Sequence, residues 1–212
     1  MKDYTLRWMR VLVILFTLHS SLFTVSAQEK HWFVSANLSP TLFYCNEELD
    51  HDFSKSPFKR FRNNLGISLA VGRWFSPEIA LRTKLNGFWG RYIISEDASA
   101  NANTYFVLNE QVLFDVINIF CGSDPDRPYH LVPFFGGGFG RNMSYNRWAT
   151  NLSVGILNQF KLTDRLMLNA ELGYTLHTRE FSGHDERKLD YHSLKNEDQQ
   201  WLLELGITYN FM

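Results

Sequence analysis

Between Trp32 and Phe211 the chain alternates large apolar side chains with small or polar ones, in eight separate runs. In the first, Trp32, Val34, Ala36, Leu38, Leu42 and Tyr44 share one face, and Phe33, Ser35, Asn37, Ser39 and Thr41 share the other. The second sets Leu65, Ile67, Leu69 and Val71 against Asn64, Gly66, Ser68, Ala70 and Gly72. In the third, Ile79, Leu81, Leu85 and Trp89 oppose Arg82, Lys84 and Asn86. The fourth places Phe106, Leu108, Val112, Phe114 and Val116 against Asn109, Gln111 and Asp115, with Glu110 intruding on the apolar face. The fifth is glycine-rich, with Leu131, Phe135 and Phe139 on one side and Gly136, Gly138 and Gly140 on the other. Leu152, Val154, Ile156 and Phe160 mark the sixth, and Leu166 to Leu176 on every second position the seventh. The eighth carries Leu203, Leu205, Ile207, Tyr209 and Phe211 opposite Glu204, Gly206, Thr208 and Asn210. A repeat of two is the repeat of a strand, so the pattern predicts eight β-strands and no helix after residue 27. Each run is about nine to thirteen residues, the length a tilted strand needs to cross a bilayer.

The connections are unequal. "FSPE" and "KLTDR" are tight turns and "CGSDPDRPY" is only a little longer. The stretches "CNEELDHDFSKSPFKRFR" and "TREFSGHDERKLDYHSLKNED" are long, charged and turn-rich, and only "RNMSYNR" is short in that set. Short connections alternating with long ones predict a barrel with periplasmic turns and outward loops. The bulky apolar face is too voluminous for the interior of eight strands, and the small polar face would leave a water-soluble barrel without a core. Lipid outside and polar side chains inside satisfy both faces, and closure pairs the last strand with the first. The predicted fold is an all-β, eight-stranded antiparallel up-and-down transmembrane β-barrel.

The start of the chain fits export. Lys2, Arg7 and Arg10 precede the apolar run "VLVILFTL", and small residues lead to Ala27 and Gln28. This is the form of a secretory signal, here residues 1–27 with cleavage between Ala27 and Gln28, leaving residues 28–212 as a single barrel domain. The formal net charge of the whole chain is −1, which calls for no nucleic-acid partner. Cys45 would enter the first outer loop and Cys121 a periplasmic turn, about a membrane thickness apart, so no bridge between them is expected.

With its signal, its eight runs and its terminal "ITYNF", the chain resembles the OmpA/OmpX-type small outer-membrane barrels. The segment from Tyr105 to Asn142 also resembles a strand–turn–strand unit of Bacteroidetes-type members. The resemblance implies Sec export, a Gram-negative outer membrane with its lipid and lipopolysaccharide as surroundings, and the barrel-insertion machinery as a partner during biogenesis, which reads a terminal aromatic such as Phe211. It implies neither a cofactor nor a catalytic residue. Nothing in the chain resembles the peptidoglycan-binding domain that OmpA carries.

Candidate chemistry falls on the inward face. Arg82, Lys84, Asp115, Glu171 and Glu204 would form a polar network filling the lumen, with Arg82 and Asp115 at similar low heights and the two glutamates adjacent at mid-height. Neighbouring carboxylates in a low-dielectric lumen need a cation between them, and Lys84 and Arg82 are the candidates. Eight strands leave room for side chains and little more, which argues against a wide pore. Trp32, Tyr44, Trp89, Tyr209 and Phe211 fall at strand ends on the apolar face, where an aromatic belt would sit.

Other candidates are weaker. His177, near the outer rim, is the best residue for the alternative of a lipid A-type modifying enzyme, but "HTR" and "HSL" lack the His-x-Ser spacing of lipid A deacylase barrels. His51, Asp52, His184, Asp185, Glu186 and His192 match no metal-ligand motif. "GGG" at 136–138 lacks the Lys-Ser/Thr of a phosphate loop, and a glycine kink explains it better. The expected function is therefore a non-enzymatic scaffold whose loops 45–62, 91–103 and 178–198 contact an extracellular partner or serve adhesion.

Overall fold

A computed structural model describes residues 31–44, 63–88, 91–92, 103–144, 146–178, 181 and 198–211. The strands are β1 (Trp32–Tyr44), β2 (Asn63–Trp74), β3 (Ile79–Phe88), β4 (Arg91–Tyr92), β5 (Asn103–Phe114), β6 (Tyr129–Asn142), β7 (Arg147–Lys161), β8 (Leu166–His177) and β9 (Asp198–Phe211). β4 is a two-residue continuation of the third stave, paired with Asn103 and Thr104 of β5. Neighbours in sequence pair antiparallel around the sheet, and two further pairings close it into eight staves. β3 pairs with β5 from Ile79↔Phe114 to Asn86↔Val107. β1 pairs with β9 from Trp32↔Phe211 to Tyr44↔Gln199, so the first and last strands complete the ring. A closed ring leaves no edge strand and no unpaired ladder, the condition for a sheet in hydrocarbon.

The alternation read from the sequence becomes inside and outside. Ser35, Asn37, Ser39 and Thr41 are buried within the barrel, while Val34 and Leu38 face out. On β9 Leu202, Glu204 and Thr208 are buried, and Leu203, Leu205 and Ile207 are exposed. An exterior band of Leu, Val, Ile and Phe around a polar interior inverts the layout of a water-soluble barrel.

Two of the tight turns share one design. Phe75 N–H donates to Ile79 O and Leu162 N–H to Leu166 O, both at 2.9 Å. The Ser76 hydroxyl accepts from the N–H groups of Glu78 and Ile79, and Thr163 Oγ1 from those of Arg165 and Leu166. A hydroxyl here takes up turn N–H groups that no strand neighbour reaches.

Glycine lets β6 lie against β5. A Cβ at Gly136 would stand 2.0 Å from Glu110 O, and one at Gly138 1.9 Å from Leu108 O. Gly87, at φ +84°, lies near the end of β3 beside a register shift between Ile67 and Leu69 on β2. Proline sits where its missing N–H costs little. Around Pro40 the β1–β9 ladder skips from Leu38 to Thr41, and Pro133 lies just past the last β5–β6 pair, Leu113↔Phe134.

One expectation fails. The sequence reading carried the fourth strand through Asp115 and Val116, but the strand stops at Phe114 and a short helix, α1 (Val116–Cys121), follows. Asp115 caps it, its Oδ1 accepting from the N–H groups of Ile117 and Asn118 at 3.1 Å each. Asp is among the strongest N-caps, and "VINIFC" no longer alternates, so a helix start was legible there. Residues 1–27 with Ala27 and Gln28, Cys45, Trp89, the six acidic and histidine loop candidates and most of the three long loops lie outside the described residues.

Candidate functional site

Midway along the lumen four charged side chains cluster, each at most 2% exposed: Arg82, Lys84, Glu171 and Glu204. A further carboxylate, Asp198, is fully buried on the same face of β9 at its other end, in register with His177. Glu171 and Glu204 are direct cross-strand partners on β8 and β9. Two carboxylates opposite each other repel, and the resolution comes from across the barrel, on β3. Lys84 Nζ lies 2.6 Å from both Glu171 Oε1 and Glu204 Oε2. Arg82 grips Glu171 with both ends of its fork, Nη1 to Oε2 at 2.8 Å and Nη2 to Oε1 at 3.1 Å. The four formal charges cancel, as a low-dielectric interior demands.

Neutral groups complete the shell. Ser39 and Ser68 hydroxyls donate to the two Glu204 oxygens at 2.8 and 3.1 Å. Gln111 Oε1 accepts from Arg82 Nε and Nη2, and its Nε2 donates to Ser153. Arg82 also stacks over the Phe134 ring at 4.8 Å. The network thus joins β1, β2, β3, β5, β7, β8 and β9 in one cross-linked layer.

Two apolar layers flank it. Toward the short-turn end, Phe33, Ala80, Leu113, Val132, Phe134 and Leu157 pack together, with Trp74 against them. Toward the other end, Tyr105, Val107 and Ala149 meet Phe181, which is fully buried although it lies beyond the end of β8. Gly140 makes space for it, since a Cβ there would come 2.8 Å from the Phe181 ring. Phe181 stacks on His177 at 4.3 Å and meets Tyr105 edge-on at 6.0 Å, and its carbonyl accepts from Asn142 Nδ2. Of the residues in these layers, only Phe33 is named on the lumen face in the sequence pattern, so neither layer is expected from that pattern.

The remaining predicted residues separate. Asp115 does not join the lumen network: Arg82 pairs in register with Gln111, four residues earlier, and Asp115 lies below the strand end. There its Oδ2 meets His130 Nδ1 at 2.6 Å. His177 is completely buried, with Nε2 2.9 Å from Gln200 Oε1. Phe181 lies against the imidazole, and both side chains are fully buried. Its Nδ1, the Asn151 amide and Gln200 Nε2 are buried and have no hydrogen-bond partner among the described residues, and groups of this kind take ordered water. On the exterior, Trp32 is half-buried, and Tyr209 and Phe211 are 38% and 47% exposed and meet edge-on at 5.2 Å. Cys121 is a free, exposed thiol at the end of α1.

No family model matches the chain. It is 26% identical over 145 residues, 64% of its length, to outer membrane protein 41 of Porphyromonas gingivalis (strain ATCC BAA-308 / W83). To outer membrane protein 40 of the same organism it is 22% identical over 152 residues, 66% of its length. The matched parts are 35% and 38% of those relatives, so the chain spans little more than a third of their length. Its fold superposes on Neisserial surface protein A with a TM-score of 0.51, over 87% of this chain and 100% of that one, at 11% identity. The chain is a small outer-membrane β-barrel. In outer-membrane barrels the short turns mark the periplasmic side; here Phe75–Glu78, α1 and Leu162–Arg165 share one end of the barrel. Tyr44, Tyr92, Asn142 and His177 end their strands at the opposite end.

Proposed function

We propose that this barrel is a non-enzymatic outer-membrane scaffold whose activity resides in its outer segments 45–62, 91–103 and 178–198, through adhesion or contact with an extracellular partner. One observation carries the reading: the lumen is filled across its section by a neutralised ion-pair layer between two apolar layers. Both glutamates of that layer are held by cations, as suits a structural core, and the filled section leaves no path for a solute. The lumen is therefore a structural core and not a wide pore. In this reading residues 1–27 direct Sec export and are removed after Ala27, the insertion machinery reads the terminal strand, and Trp32, Tyr44, Trp89, Tyr209 and Phe211 form the interfacial belts.

The test replaces each of the three outer segments in turn by a short Gly-Ser turn, in cells expressing the full chain. Barrels that still shift on a gel when boiled, while cell adhesion or partner binding falls, support the reading. Unchanged surface binding with all three replaced would refute it. Lipid A mass spectra from cells with and without the protein address the enzyme directly: any altered acyl or phosphate pattern would end the scaffold reading.

A further inference from the structure

On the lipid-facing side, at the outer end of the barrel, one row crosses three adjacent staves: Phe106 of β5, Arg141 of β6 and Trp148 of β7 are in register. The Trp148 ring meets Phe106 edge-on at 5.9 Å and Phe139 at 5.7 Å. The Arg141 guanidinium lies over Trp148, 5.1 Å from the ring centre. Its Nη2 donates to Asn146 Oδ1 at 2.5 Å, in the turn that joins β6 to β7, and its Nε is buried with no hydrogen-bond partner among the described residues. Trp148 is 38% exposed, so the platform is open to the surroundings.

Charge and depth define what fits. Among the described outward positions of β5 to β7 at this end (Thr104, Phe106, Leu108, Phe139, Arg141, Trp148 and Thr150) there is no carboxylate. The nearest on β5 is Glu110, four residues further down, and it accepts from Thr83. A guanidinium at a membrane rim, fixed on an aromatic face with Nη2 held by Asn146, offers its charge and its remaining Nη1 donor to a phosphate. The apolar residues below it, Leu108 and Leu152, lie at the depth of acyl chains, so the anion it meets is borne by a lipid.

We propose that Arg141, seated on Trp148 and steadied by Asn146, binds the phosphate of an outer-leaflet glycolipid headgroup, with Phe106 and Phe139 packed against the first part of an acyl chain. The proposal rests on the function proposed above, with the β6–β7 turn at the cell surface.

The experiment uses the refolded full chain in phosphatidylcholine nanodiscs doped with either diphosphorylated or dephosphorylated lipid A. Lipid retained after transfer to detergent is counted by mass spectrometry. Wild-type protein should retain the diphosphorylated form in preference, and Arg141→Gln should lower that preference about tenfold, the loss of one charge-assisted contact. Arg165→Gln, in a periplasmic turn, should leave it unchanged. Excess inorganic phosphate should not displace the lipid. Where Arg141→Gln does not refold, Arg141→Lys keeps the charge but removes the planar group seated on Trp148 and held by Asn146, and should still lower the preference. Equal retention by wild type and both Arg141 variants, no preference for phosphate, or displacement by inorganic phosphate would each overturn the proposal. Orientation is tested apart from it. Ser144→Cys in a chain with Cys45 and Cys121 changed to Ser should react with an impermeant maleimide on intact cells. Labelling only after lysis would mean that the orientation, not the phosphate contact, had failed.

Discussion

Lys84 is the side chain on which the lumen network turns, and Lys84→Met removes its charge while keeping most of its length. Glu171 and Glu204 then face each other across β8 and β9. Glu171 keeps Arg82, and Glu204 keeps only the hydroxyls of Ser39 and Ser68 and the more distant Asn37 amide, at 3.5 Å. Breaking a buried ion pair from one side costs about 3–5 kcal/mol, because the desolvated partner charge stays behind. The variant should therefore lose about that much stability in urea or guanidinium unfolding of the refolded barrel in detergent, followed by tryptophan emission and by migration on unboiled gels. Adding Glu204→Gln removes the stranded charge, and the double variant should recover most of the loss, as a double-mutant cycle would show. A Lys84→Met barrel within about 0.5 kcal/mol of wild type, the range of ordinary surface changes, would refute the claim that Lys84 neutralises this pair.

Further outcomes follow from the same structure. Leu38→Arg, on the exterior of β1, should cost about 2–4 kcal/mol for insertion into vesicles, as a cation at mid-bilayer depth does, where a water-facing leucine would tolerate the change. A null effect on insertion would contradict a lipid-facing exterior. Phe181→Ala should cost about 3–5 kcal/mol and expose His177, seen as faster hydrogen exchange at the outer end of β8. Exchange identical to wild type would show that Phe181 does not cover the lumen. Gly138→Ala drives a methyl into Leu108 O and should destabilise the β5–β6 seam by about 1–3 kcal/mol or more, read from the denaturant midpoint. A midpoint equal to wild type would mean that this close approach is absent.

The legibility of the barrel in the sequence is uneven, and Arg82 and Asp115 show why. Both lie on the inward parity of neighbouring staves, and counting residues from the turns set them at one height. Register fixed their true relation, since Ile79 pairs with Phe114 and so Arg82 with Gln111. Asp115, below the strand end, caps α1 instead, a start that its N-cap chemistry and the loss of alternation after it made legible. The pairing of Glu171 with Glu204 and the need for a cation between them were readable, because both follow from adjacent strands of known direction. That Lys84 would reach them from β3 depended on the closure and bore of the ring, which bring distant staves together across a few side chains.

The sequence by itself determined which side of every strand faces lipid, because successive side chains of a strand must point to opposite sides and only one side could be dissolved in hydrocarbon. It also determined which end carries the tight turns, since Ser76 and Thr163 satisfy turn N–H groups locally. Only the tertiary structure decided what meets inside. Heights across the lumen depend on strand stagger, which no local pattern encodes, and a residue such as Phe181 enters the interior from outside any strand. The ion-pair layer, the two apolar layers and the Arg141–Trp148 platform are consequences of closure, in which residues far apart in the chain share one small cross-section.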